Sequence, residues 1–180
     1  MEKKYSKADM DNFFEFVNDQ LAAEDRQGKI GLYGDCAVMF VYGWKGSASH
    51  IEGAYAPRFA IDMLCHQSAA SNGWDSSILS DKNVPVLTEY LKRDNYAFRV
   101  ITQKSNLRIL ALKPECELAL RLARNCSSGF VIEAQLIKVL KIKSLEDVFD
   151  IIHRYVRDDM KTSECYSRGA LAFETYKAGK

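Results

Sequence analysis

His50 and Glu52 are separated by a single residue in a segment, Ser49 to Ala56, that alternates as a strand does. On extended backbone, residues two apart point the same way, so the imidazole and the carboxylate share one face while Ile51 takes the other. Acids at that spacing hold divalent cations against a polyphosphate; with histidine first, the pair suits zinc or manganese better than magnesium, which prefers oxygen ligands. Upstream, the apolar run Ile30 to Tyr33 ends in Gly34, and Asp35 follows at the head of an apolar helical segment. A glycine turn opening a helix cradles phosphate through backbone amides and the positive end of the helix. Gly34 suits that role. Asp35 either caps the helix after a tight turn or places an anion at the mouth of the phosphate site; the two readings exclude each other unless a cation lies between.

Several elements must position these groups. Ser6-Lys7-Ala8-Asp9 is a helix start, and Met10, Phe13, Phe14, Val17 and Leu21 recur at helical spacing, which predicts an amphipathic helix to Ala23 packed on a sheet. Strands are expected near Ile30 to Tyr33 and Ser49 to Ala56. A helix over Asp35 to Tyr42 lies between them, and another follows over Arg58 to Ser71. Trp74 to Leu79 reads as a loop. Ala97 to Thr102 and Leu107 to Leu112 form a hairpin about Lys104-Ser105-Asn106. Pro114 opens a helix to about Asn125. Helices are then expected over Val131 to Leu140, Ser144 to Arg157 and Ser163 to Tyr176, the middle one capped by Ser144-Leu145-Glu146-Asp147.

Composition narrows the function classes. Of the 180 residues, 47% are apolar and 27% charged, the balance of a folded globular chain. A formal charge of +1 gives no global signature of nucleic-acid binding. The N-terminal segment acquires acids before any apolar run, so it does not read as a signal peptide. No apolar segment approaches the roughly 20 residues needed to cross a bilayer. The five cysteines, Cys36, Cys65, Cys116, Cys126 and Cys165, are scattered and lack a Cys-x-x-Cys pair, which predicts reduced, mostly buried thiols in a cytoplasmic protein. His66 and His153 have no acid or cysteine at nucleophile-forming spacing. Trp74 either stacks on a base or anchors a core.

The order of strand, glycine turn, helix and His50-Ile51-Glu52 strand resembles the minimal nucleotidyltransferases of the DNA polymerase beta superfamily, whose signature is Gly-Gly or Gly-Ser opening a helix and Asp-x-Asp or Asp-x-Glu on the next strand. Further landmarks resemble its bacterial branch of nucleotidyltransferase-like proteins. Lys45, Ser47 and Ser49 precede the acidic strand, Gly73-Trp74-Asp75-Ser76 follows the next helix, and the run from Arg108 through Pro114-Glu115 to Leu122 leads a strand into a helix. The similarity spans Lys29 to Arg157. Asp35 stands in place of the second glycine and His50 in place of the first carboxylate. Arg99 stands where a third acid is expected on a later strand. Of an acidic segment over residues 126–133, only Glu133 is retained.

The resemblance implies an α/β fold with a small mixed sheet of the nucleotidyltransferase type. Residues 1–125 would form its core with the N-terminal helix, and residues 126–180 a helical extension packed on it as one structural unit. It implies nucleotide contacts from Gly34, Asp35, Ser47 and Arg121, with Arg121 either facing phosphate or exposed on its helix. Catalytic and metal-ligating roles fall to His50 and Glu52. With those departures the expected function is binding by a degraded site, in a bacterial toxin-antitoxin or defence system, with a nucleotide or a protein as candidate partner and no membrane association. The alternative is an active enzyme using Mg2+ or Mn2+ to move a nucleotide from a nucleoside triphosphate to RNA, protein or a small molecule.

Overall fold

The computed structural model describes residues 3–124 and 129–179 and is a mixed α/β fold. The division expected after residue 125, and Cys126 with it, lie outside the described residues. The chain groups into two compact units. One comprises Met1–Val41, Lys45–Val84 and Phe98–Ala111; the other comprises Tyr42–Trp44, Pro85–Ala97 and Leu112–Lys180.

The first unit opens with α1 (Lys7–Ala23). Ser6 starts it by a reciprocal capping box, in which Ser6 Oγ accepts from the Asp9 amide at 3.2 Å and Asp9 Oδ2 accepts from the Ser6 amide at 2.7 Å. Its apolar stripe of Met10, Phe13, Phe14, Val17 and Leu21 is wholly buried. β1 (Gly28–Leu32) follows, then α2 (Gly34–Tyr42), β2 (Ile51–Ala56), α3 (Arg58–Asn72) and the two-residue β3 (Leu79–Ser80). Gly73 ends α3 in the left-handed conformation at φ 66°. The hairpin β4 (Phe98–Gln103) and β5 (Leu107–Leu112) completes a sheet of order β3-β2-β1-β5-β4. β1 runs antiparallel to β2, with Leu32 opposite Gly53, and parallel to β5, with Lys29 opposite Arg108. Ile30, Leu32, Ile51, Leu107 and Ile109 form the buried layer.

β2 begins two residues later than expected. Ala48 is drawn instead into an antiparallel bridge with Tyr5, whose amide donates to the Ala48 carbonyl at 2.7 Å. Trp74 is a core anchor, with its ring edge-on to Phe13 and Phe16 at centroid distances of 5.8 and 6.2 Å.

In the second unit, α4 (Val84–Tyr90) precedes α5 (Pro114–Ala123), α6 (Val131–Leu140), α7 (Leu145–Tyr155) and α8 (Ser163–Ala178). α5 is the central helix, packed by α6, α7 and α8 and buried on nearly every side. Its last carbonyls are satisfied by Arg168, whose Nε and Nη2 donate to Leu122 and Ala123 at 2.6 and 3.0 Å. Among the described residues no helix is long and apolar enough to cross a membrane.

Asp9 and Asp147 hold the two capping boxes, and hydrogen bonds from Ser6 and Ser144 lower both carboxyl pKa values below 3.8. A depressed folded-state pKa contributes stability that is complete above the unfolded value and lost as pH falls through the folded one. The urea midpoint of the wild type therefore declines in acid below that value. Asp9→Asn lowers the midpoint at neutral pH, and its difference from wild type shrinks in acid.

Candidate functional site

The site is built by the register of β1 against β2. The Tyr33 amide donates to the Glu52 carbonyl at 3.2 Å, and the Cys36 thiol lies 3.0 and 3.4 Å from the Tyr33 and Glu52 carbonyls. Those bonds press Glu52 against the turn into α2. Gly34 sits there at φ 71°, a conformation that costs an L residue about 1 kcal/mol or more. A Cβ built on it would overlap Glu52 Oε2 outright and lie 3.1 Å from Glu52 Cδ. Gly34 is thus favoured by its own dihedral, and a larger residue there would also make the tip of the Glu52 side chain shift.

The other carboxylate oxygen, Glu52 Oε1, accepts from Asn83 Nδ2 at 2.6 Å. His50 lies in the bend just before β2, and its Nε2 is 4.0 Å from the same oxygen, while Ser49 Oγ is 3.0 Å from His50 Nδ1. His50, Ser49 and Asn83 border a cleft of about 630 Å³ that Tyr55, Arg58 and Asp81 also line. Its far wall is internally paired. Arg58 reaches Asp81 at 2.9 Å and Asp62 at 3.8 Å, and Tyr55 donates to Asp62 at 2.5 Å. Burial, then the Asp62 carboxylate, raises the Tyr55 phenol well above its ordinary pKa, so it acts as a donor. Burial likewise pushes the neighbouring Cys65 thiol up to about 12, far from a reactive thiolate.

Several expected residues sit elsewhere or differently. Asp35 is the second residue of α2, inside its first turn and not the residue before it, where its charge complements the helix dipole. Ser47 is exposed in the loop after α2 and does not line the cleft. Arg121 is neither exposed nor facing a phosphate site: it is 4% exposed within the second unit, bonded through Nε to Glu133 at 2.9 Å and 3.8 Å from Glu117. Glu133, the acid retained from the resemblance, is therefore a structural partner. Arg99 lies on β4 at the sheet's edge, whereas the strands beside β2 are β1 and β3, and the acid after β3 is Asp81, engaged by Arg58. His66 is exposed, and His153 packs near Tyr166, 5.5 Å between ring centres.

Asn83, Asp81 and Arg58 are the site residues that the sequence left unmarked. Asn83 belongs to an aperiodic segment, and its link to Glu52 is visible only once β3 is paired with β2, Glu52 opposite Ser80.

Two catalytic magnesium ions need several oxygen ligands converging on one point. Among the described residues no three His, Cys, Asp or Glu side chains converge so as to hold a metal. Glu52 gives one oxygen to Asn83 and sets the other on Gly34, so the donor set does not fit a two-magnesium centre.

Gly34→Ala is expected to destabilise the protein by about 1 to 2 kcal/mol, chiefly from dihedral strain, with a smaller part from displacing the Glu52 carboxylate. Adding Glu52→Ala removes the overlap, so the double variant loses less than the sum of the two single variants. Urea unfolding of the four proteins measures that coupling; additive losses would mean that the carboxylate does not rest on Gly34.

Compared with protein-family models, with curated proteins and with solved structures, the chain matches none.

Proposed function

We propose that the first unit is a nucleotidyltransferase-like fold whose catalytic site is degraded and which acts by binding. The element order and the antiparallel β1 and β2 support the kinship, since they bring the second acid of the motif, Glu52, to the glycine turn. The observation that carries the reading is the seat of Glu52. Its carboxylate packs on Gly34, where a bound phosphate would contact the backbone, and Asn83 takes its other oxygen. An anion in that seat repels a triphosphate, and a lone carboxylate beside an imidazole cannot neutralise the charge that develops in nucleotidyl transfer.

A protein partner within a bacterial toxin-antitoxin or defence system is the setting that the resemblance implies. The four described thiols, Cys36, Cys65, Cys116 and Cys165, are buried and unbridged, which supports a reducing, cytoplasmic compartment.

Incubation of the protein with each α-labelled nucleoside triphosphate, in Mg2+ or Mn2+, is expected to label neither the protein nor added RNA. Metal-dependent labelling abolished by Glu52→Ala would establish the enzyme instead. Restoring His50→Asp together with Asp35→Gly should create Mn2+ binding detectable by electron paramagnetic resonance. A spectrum unchanged by the pair of substitutions counts against the kinship.

A further inference from the structure

We infer that Lys29 and Arg108 form an oxyanion site for the phosphate group of a small ligand, at the end of the sheet opposite Gly34. The inference does not depend on the nucleotidyltransferase reading. Lys29 lies near the start of β1 and Gly34 beyond its end, about 15 Å further along the strand direction.

The parallel register of β1 and β5 sets Lys29 directly opposite Arg108, and both are exposed. Neighbouring strands are about 4.8 Å apart, so two cationic side chains leave adjacent backbone positions, a pairing that disfavours folding where the charges stay close. Some other cations of the first unit meet acids, Arg58 with Asp62 and Asp81 and Lys104 with Glu15. Among the described residues the Lys29 side chain has no hydrogen-bond or ion-pair partner, and the partner of the Arg108 side chain is neutral, Gln103 Oε1 accepting from Nε at 2.6 Å. That bond fixes the guanidinium plane and leaves its two terminal nitrogens to donate.

These side chains line a groove of about 440 Å³ with Gln27 and Gln103, closed by the Ala56-Pro57 backbone. A guanidinium fork held in place beside an ammonium matches the oxygens and the double charge of a phosphate monoester or of inorganic phosphate. Nucleic acid fits less well, because its affinity is built from many phosphate contacts along a basic track and this groove offers two cations.

The test titrates inorganic phosphate and ribose 5-phosphate into the whole protein at constant ionic strength, with chloride as the control, and follows amide resonances by NMR. Saturable shifts around Lys29, Gln103 and Arg108 are expected with phosphate and not with chloride. Lys29→Gln and Arg108→Gln should each weaken binding at least about tenfold, while Arg93→Gln in the second unit leaves it unchanged. Tighter binding of ribose 5-phosphate than of the free ion identifies an ester ligand, and equal binding identifies inorganic phosphate. In phosphate-free buffer Lys29→Gln should melt no lower than wild type, because it relieves the repulsion; a clear fall in Tm would mean that Lys29 has a structural partner and would overturn the inference. Shifts that do not saturate, or that are unchanged in both variants, would overturn it too.

Discussion

The first unit turns on the contact between the Glu52 carboxylate and the backbone of Gly34. The β1–β2 register fixes it: Leu32 pairs with Gly53, and the Tyr33 amide takes the Glu52 carbonyl, so the side chain of Glu52 must emerge over the turn into α2. Glycine suits the position by its positive φ, and any Cβ there would displace the carboxylate tip. A turn that in a phosphate-binding protein would present its backbone to ligand is here covered by an acid of the same chain. Asn83 completes the arrangement from beyond β3, so the short edge strand brings a partner to Glu52 as well as forming the sheet margin.

Charge is handled differently in the second unit. Arg121, Glu117 and Glu133 are all buried, and the Arg121–Glu133 bond ties α5 to α6. Such buried ions add little net stability over a well-packed apolar set, but removing one partner strands the other at a cost of about 3 to 5 kcal/mol. They act as a registry device for two helices. Arg168 serves the same helix from outside, by meeting the carbonyls that α5 cannot satisfy itself. Arg121, which the resemblance offered as a phosphate contact, is thus committed to joining α5 and α6.

What could be read from the sequence was what local chemistry decides. The Ser6 and Ser144 capping boxes, Pro114 at a helix start, the period of α1 and the alternation of β5 each carry their own signal within a few residues, and those elements begin as expected. His50 comes near Glu52 as expected, but from the bend before β2 rather than from the strand itself. β3 and α4 were not legible, because a two-residue strand has no period and exists only through its bonds to β2. Arg121 was misread for a tertiary reason. A basic residue on a helix defaults to the surface, and its burial is set by a glutamate 12 residues away on the next helix. Asn83 shows the same limit within the site, since its partner is 31 positions back in the chain.

The central claim of the proposed reading is that Glu52 is a structural anion at a glycine turn that does not accept nucleotide. Isothermal titration calorimetry of the wild type with each nucleoside triphosphate, alone and with Mg2+ or Mn2+, tests it most directly. The account predicts no saturable heat that requires the metal. Tight binding that needs the metal and vanishes in Glu52→Ala would contradict it.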